Sequence, residues 1–192
     1  MATENVVFAS VMEALLPPDV RQKLSPEAKK RIRDAGLDLD KPFDPAYPGS
    51  VWADVVKMLG PERYPKLSEH DAQLQLGQDF MNRYAGTLVA SALFALLRVI
   101  GPRRAMHRLA RNFKSGGSDI DVVVKELTPT QFEVRFERIL VPASHYLGMM
   151  LAASRLSGAV DVRGKMLSSD ASTCTLDIRW GPRAPDEGAM AS

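Results

Sequence analysis

At 192 residues, with 45% hydrophobic and 25% charged side chains, the chain has the make-up of one folded domain, which argues against a disordered or membrane-spanning protein. Its 25 basic and 23 acidic residues leave a net charge of +2, too little for a protein that coats nucleic acid through overall charge. The single cysteine, Cys174, supports neither an intramolecular disulfide nor a metal framework and fits a reducing compartment.

In chain order, Val6 to Leu16 is an apolar segment with Val7, Val11, Ala14 and Leu15 near helical spacing. Its first residues suit a strand or a helix, and Pro17-Pro18 closes it. Ser10 and Glu13 break the apolar run and no basic leader precedes it, so no secretory signal is expected and the location is read as cytoplasmic. Ser25 as N-cap, Pro26 at the first helical position and Gly36 just past the end predict a short helix over 26–35. Pro42, Pro45 and Pro48 make 37–50 an extended connection. Val51, Trp52, Val55, Val56 and Leu59 then repeat on one helical face that Gly60-Pro61 should stop. Ser68 with Asp71 three residues on opens the next helix, which carries Leu74, Leu76, Phe80, Met81 and Tyr84.

The stretch from 78 to 118 has no acidic residue after Asp79 and carries seven arginines and lysines together with His107. Within it, 87–100 is apolar almost all round, which predicts a helix buried in the core, and at about fourteen residues it falls short of the roughly 20 that span a bilayer. Gly101-Pro102 ends that helix and starts another with Met106, Leu109, Ala110 and Phe113 on one face and a basic opposite face.

From Asp119 the period changes to two. Ile120, Val122 and Val124 alternate with more polar neighbours, and so do Phe132, Val134 and Phe136 after a turn at 128–130. A helix over 144–156 follows, and then a second alternating pair, with Val160, Val162, Gly164 and Met166 in one strand and Cys174, Leu176, Ile178 and Trp180 in the other. The expected fold is therefore α+β, an N-terminal helical layer packed on a C-terminal four-stranded antiparallel sheet in β-β-α-β-β order. Residues 1–180 should form a single domain and 181–192 a tail without periodicity.

Catalytic constellations are absent from this pattern. His70, His107 and His145 are far apart and fit no ligand spacing, so no metal and no cofactor is expected. His145, at the start of a helix, reads as a capping or packing residue, and Cys174 as a buried, inert thiol. Asp119 and Asp121 read as edge-strand solubility rather than paired catalytic carboxylates.

The candidate anion- or partner-binding face consists of Arg103, Arg104, His107, Arg108, Arg111 and Lys114, whose guanidinium forks suit a phosphate, a carboxylate or an acidic surface. If it is solvated surface instead, acids such as Glu62, Glu69 and Asp71 would neutralise it. Met81, Met106, Met149, Met150 and Met166 are the candidate lining of an apolar pocket between the helices and the sheet.

Three stretches, AYPGSVWADVV at 46–56, LGQDFMNRYAGTLVASALFALLRVIGPRRAMHRLARNFKSGG at 76–117 and the closing β-β-α-β-β segment, carry a family resemblance. On them the chain resembles a large paralogous family of proteins of unknown function found in myxobacteria, which implies a fold and no activity. More distantly, helices followed by β-β-α-β-β are similar in architecture to the haem-nitric-oxide-binding and vinyl-reductase-type ligand-binding domains. Those haem domains use a helical histidine and a Tyr-x-Ser-x-Arg motif; His107 is a helical histidine, but the motif does not occur here.

These readings lead to a non-catalytic small-ligand-sensing or protein-interaction module. Its expected partners are a second copy of the chain, with Glu133 and Glu137 opposite the arginines, an acidic protein, or an apolar small ligand. Neither nucleic acid nor a membrane is expected. The alternatives are a nucleic-acid-binding module that reads with the basic helix over 103–114, and an enzyme without a recognisable motif.

Overall fold

The computed structural model describes residues 6–115 and 120–181, except for the side chains of Val89 and of 109–115. The expected tail at 182–192, the Gly116-Gly117 turn and Asp119 lie outside these residues. The first apolar segment divides: β1 (Val6–Phe8) pairs antiparallel with β2 (Ala46–Pro48), and α1 (Ala9–Leu15) starts directly after it. Pro17-Pro18 opens a helix as well as closing one, because Pro18 stands at the first position of α2 (Pro18–Lys23), where a missing N–H costs nothing. In α3 (Pro26–Asp34) the Ser25 side chain accepts from the Ala28 N–H, as the sequence predicts.

The next helix, α4 (Gly49–Arg63), does not stop at Gly60-Pro61 but runs through Pro61 to Arg63. Proline cannot donate to the carbonyl four residues back, which leaves the Lys57 oxygen short of a partner. Gln73 of α5 (Glu69–Ala85) supplies one: its Nε2 donates to the Lys57 oxygen at 3.2 Å and to the Val56 oxygen at 3.0 Å. Gly60 makes room for this, since a Cβ there would stand 2.6 Å from the same Nε2.

Past α5, α6 (Leu88–Ile100) turns at Gly101 into α7 (Pro102–Ser115). The sheet contains β3 (Asp121–Thr128), β4 (Gln131–Glu137), β5 (Val160–Ser169) and β6 (Thr173–Gly181) in the order β3-β4-β6-β5, with every neighbouring pair antiparallel. β6 thus extends to Gly181, one residue beyond the expected domain boundary. On the central pair Phe132 stands opposite Ile178, Val134 opposite Leu176 and Phe136 opposite Cys174, and all six are fully buried. This is the dry face that the alternation predicts.

α8 (Ala143–Leu156) covers that face and packs on its other side against α5. The α5–α8 crossing is very close: a Cβ on Gly77 would lie 2.2 Å from the His145 carbonyl oxygen, and one on Gly148 would lie 2.0 Å from that of Leu74. Only glycine allows two helix backbones to meet this closely.

One expectation about the core is overturned. The apolar helix α6 is not a core helix and does not cover the sheet: Leu88 is 93% exposed, Val99 83% and Leu96 47%, while Ala90 and Leu97 are buried. α7 lies against β3 instead, and α6 packs mainly against its helical neighbours α5, α7 and α8. Among the described residues no single helix is long and apolar enough to cross a membrane.

Candidate functional site

Helix propensity and the Gly-Pro break build the site. Gly101 has φ +81°, a left-handed conformation that glycine adopts without strain, and its N–H closes α6 on the Leu97 oxygen. Pro102 begins α7 immediately, so the end of one helix and the start of the next form a corner. A groove of about 350 Å³ lies at this corner, lined by Ile100, Gly101, Pro102, Arg103, Arg104 and His107. One wall is apolar and the other cationic.

Glu126 on β3, which the sequence pattern does not single out, organises the cationic wall. Its Oε1 accepts from Arg103 Nε at 3.1 Å and lies 2.9 Å from Arg103 Nη2, while its Oε2 is 2.5 Å from His107 Nε2. A carboxylate accepts only, so His107 donates in this contact through a proton on Nε2. Hydrogen bonds from Arg103 first and His107 second hold the Glu126 carboxyl below the ordinary carboxylate range. The His107 ring also stands edge-on to Phe132, with centroids 5.3 Å apart. One acid thus ties α7 to the sheet, in place of the Glu62, Glu69 and Asp71 group that the sequence suggests.

Arg104 and Arg108 are exposed and make no ion pair with any described residue. The structure therefore groups Arg103, Arg104, His107 and Arg108 on one side of α7, with Met106 buried on the other. The side chains of Arg111 and Lys114 lie outside the described residues. The methionines are distributed through the core: Met81 on α5, Met106 on α7 and Met150 on α8 are buried, and Met149 on α8 and Met166 on β5 pack at its rim.

A second polar feature is fully buried. His145, in the first turn of α8, is 0% exposed, and neither ring nitrogen has a hydrogen-bond partner of good geometry. Trp52 and Phe80 flank it with ring centroids 6.2 and 6.0 Å away. Burial pushes its pKa down to about 3, opposed only by the Gln73 backbone, so the ring is neutral at ordinary pH. Of the two roles expected for His145, packing is the one it performs. Cys174 is buried, as expected, and burial raises its thiol to about 12.

The helical layer, the covering helix α8 and the β3-β4-β6-β5 sheet together define a known architecture: the chain has the fold of the H-NOX domains. It is similar to the Fe(II) unliganded H-NOX protein from K. algicida at 13% identity and TM-score 0.65, covering 94% of this chain and 100% of that one. It is similar to a mutant H-NOX of T. tengcongensis at 9% identity and TM-score 0.61, covering 90% and 94%. An oxygen-binding H-NOX domain related to soluble guanylate cyclases, in its oxygen complex, matches at 11% identity and TM-score 0.53, covering 90% and 92%. At such identities the likeness establishes the fold alone. By sequence the chain belongs to a family of proteins of unknown function (DUF2378), which it matches over residues 5–181. No curated protein matches its sequence.

The fold family implies haem, and the described histidines do not fit it. A haem iron needs a ring nitrogen facing a space as broad as a porphyrin. His107 is half exposed and its Nε2 is held by Glu126, while His70 is exposed at the start of α5. His145 has ring nitrogens without a well-aligned partner, but two aromatic rings and the close α5–α8 backbone crossing surround it.

Proposed function

We propose that this chain is a non-catalytic sensing or interaction module that uses the H-NOX fold without haem, with the corner groove between α6 and α7 as its contact surface. The ligand class that suits the groove is a small molecule with an apolar body and an anionic head, such as a fatty carboxylate. Ile100 and Pro102 would take the body, and Arg103, Arg104 and His107 the head.

The observation that carries the reading is the shared carboxylate of Glu126. An anionic head entering the groove competes with Glu126 for Arg103 and His107 and so loosens the tie between α7 and β3. Binding then has a structural consequence, because the ligand interacts differently with the tied and untied states. Among the described residues no nucleophilic side chain lines the groove, and the acid/base pair beside it, His107 with Glu126, is engaged in the tie to Arg103, which supports a binding role over a catalytic one.

Thermal-shift assays and native mass spectrometry with dodecanoate, dodecanol and haem test this. Dodecanoate should bind and shift the melting temperature, dodecanol should bind more weakly, and Arg104→Ala should reduce the dodecanoate effect. Failure of dodecanoate to bind, or equal binding by the Arg104 variant, overturns the reading.

A further inference from the structure

Helix α6 is attached on one side only. At 100° per residue, buried Ala90 and Leu97 fall together, and Leu88, Ala92, Ala95, Leu96 and Val99 occupy the opposite side within an arc of about 100°. All five are exposed, Leu88 and Val99 almost completely. The axis of α6 turns by 99° from that of α5, which carries this stripe away from the α5 packing layer.

Along the sequence the charge around the stripe has one sign, and Glu126, which pairs with Arg103 and His107, approaches α7 from β3. No acidic residue occurs between Asp79 and Asp119, Arg98 is exposed at the edge of the stripe, and Arg104 and Arg108 are exposed and unpaired among the described residues of the helix that follows. Exposed apolar side chains on one helix, with exposed arginines on it and on the helix that follows, match a surface that is apolar beneath and anionic on top.

We infer that α6 is a membrane-docking helix that lies in the plane of an anionic lipid surface, with Leu88, Leu96 and Val99 among the acyl chains and Arg98, Arg104 and Arg108 on the lipid phosphates. The length of α6 excludes spanning and does not bear on lying flat. A second copy of the chain is the weaker occupant, because a twofold pairing of α6 with itself joins two basic surfaces and supplies no acid between them. The docking shares Arg104 with the corner groove, whereas Leu88, at the far end of α6, and Val99 are not part of the groove lining, so the aspartate variants separate the two readings.

Sedimentation of the full chain with phosphatidylcholine vesicles, with and without phosphatidylglycerol, tests the inference. Binding is expected only to the anionic vesicles, falling as salt rises. Leu88→Asp and Val99→Asp should each weaken it by about tenfold or more, and Arg104→Glu combined with Arg108→Glu should do the same. Circular dichroism should find the aspartate variants folded, because both sites are exposed, and the dodecanoate thermal shift should be unchanged in Val99→Asp. Absence of vesicle binding overturns the inference, as does binding that survives both aspartate substitutions. A wild-type dimer that Val99→Asp makes monomeric would assign the stripe to a second copy instead.

Discussion

Gly148 of α8 lies so close to Leu74 of α5 that a Cβ at position 148 would stand 2.0 Å from the Leu74 carbonyl oxygen. The reciprocal contact, Gly77 against the His145 carbonyl at 2.2 Å, makes this crossing the tightest joint between the helical layer and the helix that covers the sheet. Gly148→Ala and Gly77→Ala must push two backbones apart, because neither oxygen belongs to a side chain that can rotate away. Each should cost about 3 kcal/mol, which for a chain of this size lowers the melting temperature by roughly 6–12 °C. Calorimetry on the two variants checks this, and a change within error at both positions would contradict the packing.

His145 gives stability a pH dependence of definite sign. Its folded pKa of about 3 lies below the ordinary value of 6.5 that it regains once unfolded, so on acidification the unfolded chain takes up the proton first. The contribution is complete above pH 6.5 and is lost as pH falls from there toward 3. The loss reaches about 1.4 kcal/mol per pH unit. His145→Leu, which fits the same aromatic surroundings, should flatten the profile of urea midpoints between these limits. Parallel profiles for the two proteins would show that another group sets the slope.

Glu126→Gln removes the charge that holds Arg103 and His107. Amides of α7 should then exchange hydrogen faster, while those of α8, fixed at the Gly77–Gly148 crossing, keep their protection. The same substitution removes the internal competitor for the cationic wall, so dodecanoate should bind the variant more tightly than the wild type. Because the Glu126 carboxyl is held below the ordinary carboxylate range, the tie persists in mild acid and is lost only when pH falls through its lowered pKa. Hydrogen-exchange mass spectrometry with peptides from both helices reads these effects, and unchanged α7 exchange would remove Glu126 from its role.

The Cys174 thiol, buried opposite Phe136 and raised to about 12, should be inert in the folded protein. A disulfide reagent should label it only at the rate of global opening, and stoichiometrically in denaturant. Fast labelling of the native protein would mean that β6 separates from β4 far more readily than its hydrogen-bonded register suggests.

The sheet is the legible part of this sequence. Phe132, Val134 and Phe136 alternate with polar neighbours, as do Cys174, Leu176, Ile178 and Trp180, and period two leaves little choice of face. The exposure of α6 is not legible, because composition records which side chains are apolar and not whether anything covers them. The same apolar run describes a core helix and a bare one, and only neighbours distant in sequence decide between them. The passage of α4 through Pro61 is hidden for a similar reason, since the donor that lets the helix continue comes from Gln73 on the next one. On α7 the basic face is visible from spacing alone. Its counter-charge is not, because Glu126 lies 19 residues from His107 and is brought to it only by the packing of α7 on β3.

Gly60, Pro61 and Gln73 form a small lock with implications for how this chain tolerates sequence drift. Loss of Gln73 leaves the Lys57 oxygen without its substitute donor, and a larger residue at Gly60 displaces the amide that provides it. Either change is damaging while Pro61 remains, and far less so once Pro61 has become a residue with an N–H of its own. Pro61→Ala should therefore act as a permissive step that opens a mutational route closed to the parent sequence, so the order in which substitutions accumulate here matters as much as their identity.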